Sequence, residues 1–547
     1  MTISNENSPS FNLWNEPWIG LERDGKITQH SICDTLLNAH DYVAIYDPSP
    51  LVVVGIHRLF TAILQDALKP QENDDLEQLW KEGKFPVENI ARFEKQYADR
   101  FDLFSKDKPF LQSADLTLFP KTRDDETTVA RLFPETPSGT LISHYRHRTE
   151  DEQVLSPAAT AGGMVTIPPF VTSGGPGLMP SINGVPPIYV LPGGKTLFES
   201  LTASLICATF LGDAYATTKD DLAWWKRPVP VIVEKSTKKI PGMSSKEHRQ
   251  LSEVGYLHGL TFPARKVRLH PELLNGVCSR SGQSSEWCIK TMAFCMGEST
   301  NEEIFWRDPF VAYRLPTAGK VTGGKRKPTA ARNKKKDKTN PIRPMQNRGK
   351  AAWREFTGLF LQQSESKTMR PLFLNQLSLL SIGKRLEKYP FRCVAFQTDG
   401  KMKYYEWMDF GFDVPSSLLQ DPDGAKWTDE ALSFTTDCVA TVTRVFSTTF
   451  GQKVKNAERF KRLKERLEAD YWTVLASEFR QFVLALGDRA KQPQTLEEWL
   501  NSSVHRAQEA FDGAADATGD DGSTLRQIVQ GKAECRKQLN ILRSKTK

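Results

Sequence analysis

The residue types most able to do chemistry stand together between positions 144 and 151. A short run of four cationic side chains and one aromatic comes first: His144, Tyr145, Arg146, His147 and Arg148. Cations beside an aromatic ring suit a phosphate chain with exposed bases. The two histidines, with Glu150 and Asp151, could instead hold a metal and serve a nuclease, although their spacing is not specific. A solvated surface loop is the third interpretation, and the run alone leaves all three open.

The chain around this run is rich in residues that break regular structure. Residues 141–194 contain the sequence SGGPG, with Gly174, Gly175 and Gly177, among several prolines. Glycine permits close backbone approach and positive φ, and proline fixes φ and removes a hydrogen-bond donor. The composition predicts a long, shaped loop system over 141–194 rather than a helix or a sheet. Long ordered loops within a domain are often functional.

Other familiar catalytic patterns are missing from the sequence. It contains no GxxxxGK[ST] loop, no HExxH and no GxSxG, which argues against the chemistries that these motifs carry. Cys278, Cys288 and Cys295 lack the paired CxxC spacing of zinc sites. The sequence therefore points away from an enzyme.

The positive charge of the chain is concentrated in residues 320–350. This segment has twelve Lys or Arg and a single acid, Asp337, giving it a net charge of +11, whereas the whole chain carries +7. With almost no apolar residue, the segment is expected to be a solvated flexible loop or an arm that contacts nucleic acid. The central cations of this candidate DNA-contact loop are Lys325, Arg326, Lys327, Arg332, Lys334, Lys335, Lys336 and Lys338.

The bulk composition is that of an ordinary soluble protein, with 25% charged and 39% hydrophobic residues. The polar N-terminus does not look like a signal peptide, and no apolar run of membrane-spanning length occurs. The eight scattered cysteines favour reduced thiols. We expect a cytoplasmic protein without a membrane partner.

Hydrophobic periodicity predicts the elements that would position these residues. Residues 11–30 fit a β-hairpin with a turn at Asp24-Gly25, and a core helix that includes His57 follows Pro50. Residues 195–216 are predicted to form one buried helix. Near the C-terminus, apolar residues recur at intervals of three and four. They predict a four-helix bundle with helices at about 429–449, 453–486, 495–513 and 523–544.

Several segments, taken in order, resemble one known family. The chain is similar to the CasA family, the large subunit of the type I-E CRISPR surveillance complex Cascade. The resemblance is spread over most of the chain, and its ordered set is more specific than any single motif. The segments are FNLWNEPWI, SPLVVVGIHRLFTAIL, FDLFSKDKPFLQ, HRTEDEQVLSPAAT, GYLHGLTFPARKVRL and DPFVAY.

The resemblance implies an α+β protein without catalytic activity. A large, irregular mixed α/β domain with long loops, here 1–425, would precede the four-helix bundle, here 426–547. The first domain would recognise the protospacer-adjacent motif (PAM) of double-stranded DNA, and a wedge hairpin would open the duplex to start R-loop formation. A metal-dependent nuclease and a basic scaffold without PAM selectivity remain the alternatives.

The resemblance also assigns candidate site residues. The glycine loop that reads the PAM would be Gly174, Gly175 and Gly177, and Lys290 is the candidate PAM lysine. The loop that contacts the guide RNA (crRNA) and neighbouring subunits would be residues 144–148. The family usually has glutamine at the wedge tip, whereas the run here could place Asp399 or Gly400 there. The wedge candidates are Gln397, Thr398, Asp399, Gly400 and Lys401.

The implied partners are crRNA, double-stranded target DNA, a helicase-nuclease and the other Cascade subunits. Those subunits are the CasB small-subunit dimer, on which the bundle would pack, together with CasC, CasD and CasE. No cofactor is expected. Many family members carry paired cysteines near the position of Cys278, but Ser281 stands where the second cysteine of that pair would be. The pattern therefore does not favour a structural zinc.

Overall fold

The computed structural model describes most of the chain, and structural statements below concern these residues. They are 8–116, 126–136, 153–173, 178–215, 221–227, 250–251, 254–300, 305–316, 342–347, 352–362, 367–381, 386–398, 404–451, 457–519 and 521–546.

Helices and strands are mixed, which confirms the predicted α+β class. The described strands are β1 (Ile19–Arg23), β2 (Lys26–His30), β3 (Ala44–Tyr46), β4 (Thr127–Thr128), β5 (Tyr189–Pro192), β6 (Gln250–Leu251), β7 (Arg265–Val277), β8 (Ser284–Met296), β9 (Ser299–Thr300), β10 (Tyr313–Arg314), β11 (Arg343–Pro344), β12 (Thr368–Met369), β13 (Lys388–Thr398) and β14 (Tyr404–Pro415). The described α-helices are α1 (Ile32–Leu37), α2 (Pro50–Leu68), α3 (Asn73–Glu82), α4 (Val87–Tyr97), α5 (Pro157–Met164), α6 (Ile167–Phe170), α7 (Leu197–Ser204), α8 (Ala208–Ala214), α9 (Tyr256–Leu260), α10 (Phe356–Phe360), α11 (Leu372–Leu377), α12 (Pro422–Phe450), α13 (Ala457–Ala485), α14 (Gln492–Asp516) and α15 (Gly522–Ser544).

The chain divides into two compact units. The first comprises Met1–Arg348, Pro371–Gly383 and Pro390–Gly411, and the second comprises Gly349–Arg370, Lys384–Tyr389 and Phe412–Lys547. The second unit thus takes in segments that precede the predicted boundary between residues 425 and 426. The division into independent domains at residues 1–425 and 426–547 stays a prediction.

Helix α2 is the central helix of the first unit. It packs against α4, α5, α6, α7 and α9. By length and composition α2 could cross a membrane, but 89% of its apolar window is buried inside the protein. It therefore has the character of a core helix. His57 of α2 is buried and its Nε2 lies 2.8 Å from Ser204 Oγ, so it is a core residue of this helix.

A buried ion pair joins α2 to distant parts of the first unit. Arg58 Nη1 lies 2.5 Å from Asp308 Oδ2, and Asn183 Nδ2 donates to the same oxygen at 2.8 Å. The guanidinium also lies near the rings of Tyr189, Trp306 and Phe310, at 5.3, 5.9 and 6.0 Å from their centroids. Since a buried charge is costly without such partners, these contacts fix the backbone near residues 183 and 308.

The predicted N-terminal hairpin is confirmed. β1 and β2 pair antiparallel from Ile19–His30 to Arg23–Lys26. Asp24 and Gly25 have φ values of 52° and 71°. A two-residue hairpin turn whose twist matches that of its flanking strands requires positive φ at both central residues.

The expectation of neither helix nor strand across 141–194 is wrong for the described part of that stretch. It contains α5, α6 and β5. Ser156 Oγ accepts a hydrogen bond from Ala159 N at 3.3 Å, and Pro157 opens α5. A serine cap followed by proline is a helix start, and the proline content concealed that signal.

The single helix predicted over 195–216 is also wrong, because the chain leaves the helix between α7 and α8. Leu205 is extended, with φ −74° and ψ 148°. Ile206 exchanges two hydrogen bonds with the Gln65 side chain, at 2.8 and 3.0 Å. These long-range bonds satisfy backbone groups that would otherwise continue the helix.

The second unit contains the predicted four-helix bundle. Helices α12 to α15 begin and end within seven residues of the predicted positions. In α13 the apolar face is buried: Leu463, Leu467, Tyr471, Leu475, Phe479, Phe482 and Val483. Outside the four helices, Trp353 packs its ring 4.8 Å from Phe479 and 6.4 Å from Trp499. This contact explains why the segment around α10 belongs to the second unit.

Candidate nucleic-acid interface

The long hairpin of β7 and β8 supports several of the predicted contact segments. Its strands pair antiparallel from Arg265–Met296 to Val277–Ser284, with register shifts after His270 and after Leu273. β4 adds to the β8 edge. A paired, bulged hairpin gives a stiff support with local changes of side-chain direction.

Lys290 lies at the first of these irregularities. His270 pairs with Thr291 and Pro271 pairs with Ile289, so Lys290 is the extra residue of a β-bulge. Its side chain is 38% exposed, and its Nζ lies 3.8 Å from Glu272 Oε2. An exposed pair of this kind contributes little to stability. The structure thus leaves the predicted PAM lysine accessible at a position where bulges commonly redirect a side chain.

Gly174, Gly175 and Gly177 of the predicted glycine loop lie outside the described residues, but the segments on both sides of them, 171–173 and 178–182, are described. We call these two segments the stem. On the two sides of the glycines, Ser181 N donates to Val171 O at 2.9 Å. Val171 and Ile182 pack against the buried Phe262 and Ala264 that precede β7. The chain is therefore held on both sides of the loop by the same short stretch.

Arg265 adds a second link between the two sides of this stem. Its Nη2 donates to Thr172 O at 2.7 Å, and its Nη1 donates to Met179 O at 2.6 Å. Burial, with a smaller contribution from Arg131, lowers the pKa of Arg265 to about 9. The guanidinium remains cationic at neutral pH. Sequence reasoning missed this residue, yet Arg265 shares its strand face with the buried Val267 and Leu269, and an arginine on a buried face is a usable signal.

The turn of the same hairpin holds both ends of the stretch that contains the predicted crRNA-contact loop. His144, Tyr145, Arg146, His147 and Arg148 lie outside the described residues, as do Glu150 and Asp151 of the nuclease alternative. Before this stretch, Arg280 Nη1 lies 3.6 Å from Glu135 Oε1, and after it Ser279 N donates to Val154 O at 2.7 Å. Both flanks are thus tied to one turn.

Two carboxylates share Arg280. Its Nη2 lies 2.5 Å from Asp47 Oδ1, and its guanidinium lies over the Phe133 ring at 4.2 Å. Burial raises the pKa of both Asp47 and Glu135, and Arg280 partly offsets this. This compact arrangement fixes the chain up to the last described residue before the loop.

The predicted wedge residues stand at the end of a second hairpin. Gln397 and Thr398 end β13, while Asp399, Gly400 and Lys401 lie outside the described residues. β13 lies between β14 and β5 in its sheet. Arg392 pairs with Asp409 through two hydrogen bonds, at 2.7 and 2.9 Å. This bidentate pair links β13 to β14.

The bases of the wedge hairpin and of the glycine stem meet at one aromatic contact. The ring of Phe170, at the end of α6, lies 5.6 Å from that of Phe396. Phe396 directly precedes Gln397, and Phe170 stands four residues before Gly174. Described residues that precede two predicted sites, far apart in sequence, therefore pack against each other, which no sequence pattern indicated.

Of the basic segment 320–350, residues 342–347 are described. Lys325, Arg326, Lys327, Arg332, Lys334, Lys335, Lys336 and Lys338 are not. β11 pairs with β10. The buried Met345 donates its N–H to Ala312 O and accepts a hydrogen bond at its carbonyl from Ile188 N, both at 2.8 Å. The expectation that the whole segment is a solvated loop is wrong at this end, because Met345 enters the core.

Cys278 is a buried thiol with two serine neighbours, Ser156 and Ser281. Burial raises the pKa of Cys278, but hydrogen bonds from Ser281 and Ser156 outweigh it and leave the pKa below its ordinary value. Within the described part of the chain, no group of three His, Cys, Asp or Glu residues could hold a metal ion. The absence of a structural zinc stays a prediction.

Comparison with known proteins decides the family. A family model described as "CRISPR-associated protein Cse1" matches residues 12–510. The chain belongs to the Cse1 family. This confirms the resemblance to CasA seen in the sequence. A curated relative from Thermus thermophilus, "CRISPR-associated protein CasA/Cse1", is 25% identical over 551 residues, covering 97% of this chain and 98% of the relative.

Solved structures show the same fold for this Cse1 chain. Thermobifida fusca Cse1 has a TM-score of 0.75 at 18% identity and covers 98% of both chains. Thermus thermophilus CasA has a TM-score of 0.71 at 22% identity, covering 97% of this chain and 99% of its own. A chain of a "CRISPR RNA-guided surveillance complex" has a TM-score of 0.68 at 16% identity, covering 97% and 99%.

Proposed function

We propose that this chain is the non-catalytic large subunit of a crRNA-guided surveillance complex of the Cascade type. It recognises the PAM in double-stranded DNA, wedges the duplex open to start the R-loop, and helps to recruit a helicase-nuclease. Membership of the Cse1 family and the likeness to a chain of a surveillance complex support the assembly. In such an assembly the guide RNA reads the target by base pairing, while protein reads only the short motif.

The observation that carries the PAM-reading role is the contact between Phe170 and Phe396. It brings the supports of the glycine loop and the wedge hairpin together. Glycines let the backbone approach a groove where a Cβ would clash. Readout in the minor groove is degenerate, so tolerance of several motifs is expected. A neighbouring wedge would then separate the first base pairs at a cost of about a few kcal/mol per step.

The decisive experiment measures duplex binding by the guide-loaded complex with and without this chain. A library with randomised positions beside the guide match is used at fixed salt. We expect binding to require the chain and to select a short motif, with selectivity reduced by substitution of Gly175 and opening reduced by substitution within 397–401. Added affinity without any motif preference would contradict the proposal and indicate a basic scaffold.

The basic segment is proposed to hold the duplex beside the PAM. Neutralising Lys334, Lys335 and Lys336 should make the log–log salt dependence of binding shallower, because each phosphate contact contributes about −0.9 to the slope. An unchanged slope would rule out this role. The nuclease alternative has its own outcome: DNA cleavage with Mg²⁺ or Mn²⁺ that is lost in His147→Ala.

A further inference from the structure

Arg265 is a buried cation that donates hydrogen bonds to three backbone carbonyls and, from Nη1, to Met296 Sδ at 4.0 Å. Arg265 is the first residue of β7 and is 3% exposed. In addition to Thr172 O and Met179 O, Nη1 donates to Ala264 O at 2.8 Å. Arg265 makes no ion pair with any residue that the structure describes. The fork of an arginine can reach two separate carbonyls at once, which fits this geometry.

The two carbonyls outside β7 are placed on opposite sides of the glycine loop. The pair Ser181 N and Val171 O lies farther from the glycines along both sides of the stem. Thr172 and Met179 are each closer to Gly174–Gly177 in the chain. Among the described residues, Arg265 therefore makes the last polar link between the two sides before the loop begins.

Apolar packing by itself does not call for an arginine at this position. A buried charge without an opposite charge is expensive, and apolar side chains of similar volume often stabilise such a site. The flat face of the guanidinium lies 5.6 Å from the centre of the Phe294 ring, so a methionine could occupy the same apolar surroundings. What a methionine could not do is hold Thr172 O and Met179 O at a fixed separation.

We propose that Arg265 is a positioning residue for DNA recognition. By holding Thr172 O and Met179 O, it sets the spacing of the two chain segments on either side of Gly174, Gly175 and Gly177. The inference rests on the proposed PAM-reading function. Small displacements of a recognition loop change discrimination strongly. Arg265 itself touches no DNA in this proposal.

The test compares Arg265→Met with the wild type in the assembled, guide-loaded complex. Binding is measured to duplexes with and without the preferred motif, and to a single-stranded target that needs neither recognition of the motif nor opening. We expect the ratio of motif to non-motif affinity to fall about tenfold or more. The loss of one hydrogen bond to a charged group changes an equilibrium constant by roughly that factor. Binding to the single strand should stay within about twofold of the wild type, because pairing with the guide does not use the motif.

Arg268→Met is the matched control. Arg268 lies on the same strand, is 1% exposed, and donates to Lys106 O at 3.2 Å. It has no hydrogen bond to the described residues of the stem. The control should keep wild-type selectivity. Equal losses in both variants would overturn the proposal, because they would show a general weakening of β7.

Two milder variants keep the proposal testable if Arg265→Met fails to assemble. Arg265→Lys keeps a cation but loses the fork, and Phe294→Leu removes the ring beneath the guanidinium while leaving its donors. Both should give partial losses of selectivity, with faster hydrogen exchange of the amides of Met179, Ser181 and Ile182. Wild-type selectivity in both would overturn the inference.

The outcomes separate this inference from the proposed function. A selective wild type with an equally selective Arg265→Met removes the role of Arg265 and leaves the PAM-reading function standing. A wild type without motif preference overturns both.

Discussion

In α13 of the second unit, residues spaced three and four apart fall on one buried face, from Leu463 to Val483. Around β7 and β8 of the first unit, the decisive contacts join residues much farther apart in sequence, such as Arg265 with Thr172 and Arg280 with Asp47. The helices acquire their order from a local repeat. The supports of the loops acquire theirs from buried polar groups that find partners across the fold. Contacts of the second kind hold the described flanks of a loop in place, as a rigid scaffold does for binding loops in general.

The largest expected effect tests whether the bundle depends on its local repeat alone. Trp353 lies outside the four helices and is 5% exposed, with its ring against Trp472, Phe479 and Trp499. Trp353→Ala should lower the free energy of unfolding by about 3–5 kcal/mol, the usual cost of emptying a large aromatic site. Guanidinium unfolding followed by far-ultraviolet circular dichroism measures it.

Val474→Ala on α13 is the control for that substitution. Val474 is 42% exposed, so the change should stay within about 0.5 kcal/mol. If Trp353→Ala costs less than about 1 kcal/mol, which is below the range for core aromatics, the four helices hold their core without the segment 349–370. The contrast between the two regions would then be sharper than the contacts indicate.

The part of the fold that the sequence predicted is the part with local signals. The β1–β2 turn was readable from Asp24-Gly25, and the bundle from its spacing of apolar residues. The start of α5 was readable too, but the surrounding prolines outweighed the Ser156 cap. The interruption between α7 and α8 depends on Gln65, which is 141 residues from Ile206, so no local pattern contained it.

The candidate site was predictable as a set of segments and not as an arrangement. The resemblance pointed to the glycines, to Lys290 and to residues 397–401. The bulge that isolates Lys290 depends on register between two strands, and the contact of Phe170 with Phe396 depends on tertiary packing. Of the supporting residues, only Arg265 left a trace in the sequence, as a cation on an otherwise apolar strand face.

A second prediction concerns the polar construction of the first unit. Arg58→Met should lower the free energy of unfolding by about 3 kcal/mol, because it leaves Asp308 charged and buried without its cation. Asp308 is 0% exposed. The same denaturant titration measures the loss, with the first unit followed by hydrogen exchange of α2.

Arg58→Met/Asp308→Asn completes the double-mutant cycle. Asparagine removes the buried charge and can still accept a hydrogen bond, so the double variant should lose less than the sum of the two single variants. Strict additivity would mean that the ion pair contributes no coupling. The first unit would then resemble the bundle in depending on apolar packing.

The smallest expected effect appears on acidification. Burial, with smaller contributions from Arg392 and Arg58, lowers the pKa of His57 to about 3. Between that value and the ordinary pKa of about 6.5, the unfolded chain binds a proton that the folded chain does not. Stability from His57 is therefore complete above pH 6.5 and is lost as the pH falls, by about 1.4 kcal/mol per pH unit. His505 is the sole histidine of the second unit and its side chain is 68% exposed, so this loss belongs to the first unit.

His57→Gln isolates that contribution, since glutamine can still bond to Ser204 and does not titrate. Unfolding free energies measured at pH 7.0, 6.0 and 5.0 should fall less steeply for His57→Gln than for the wild type, while His505→Gln should follow the wild type. Parallel slopes for the wild type and His57→Gln would mean that His57 takes up its proton inside the fold. The core around α2 would then tolerate a third cation beside Arg58 and Arg392, and the first unit would be less dependent on the exact pairing of buried charges than its contacts suggest.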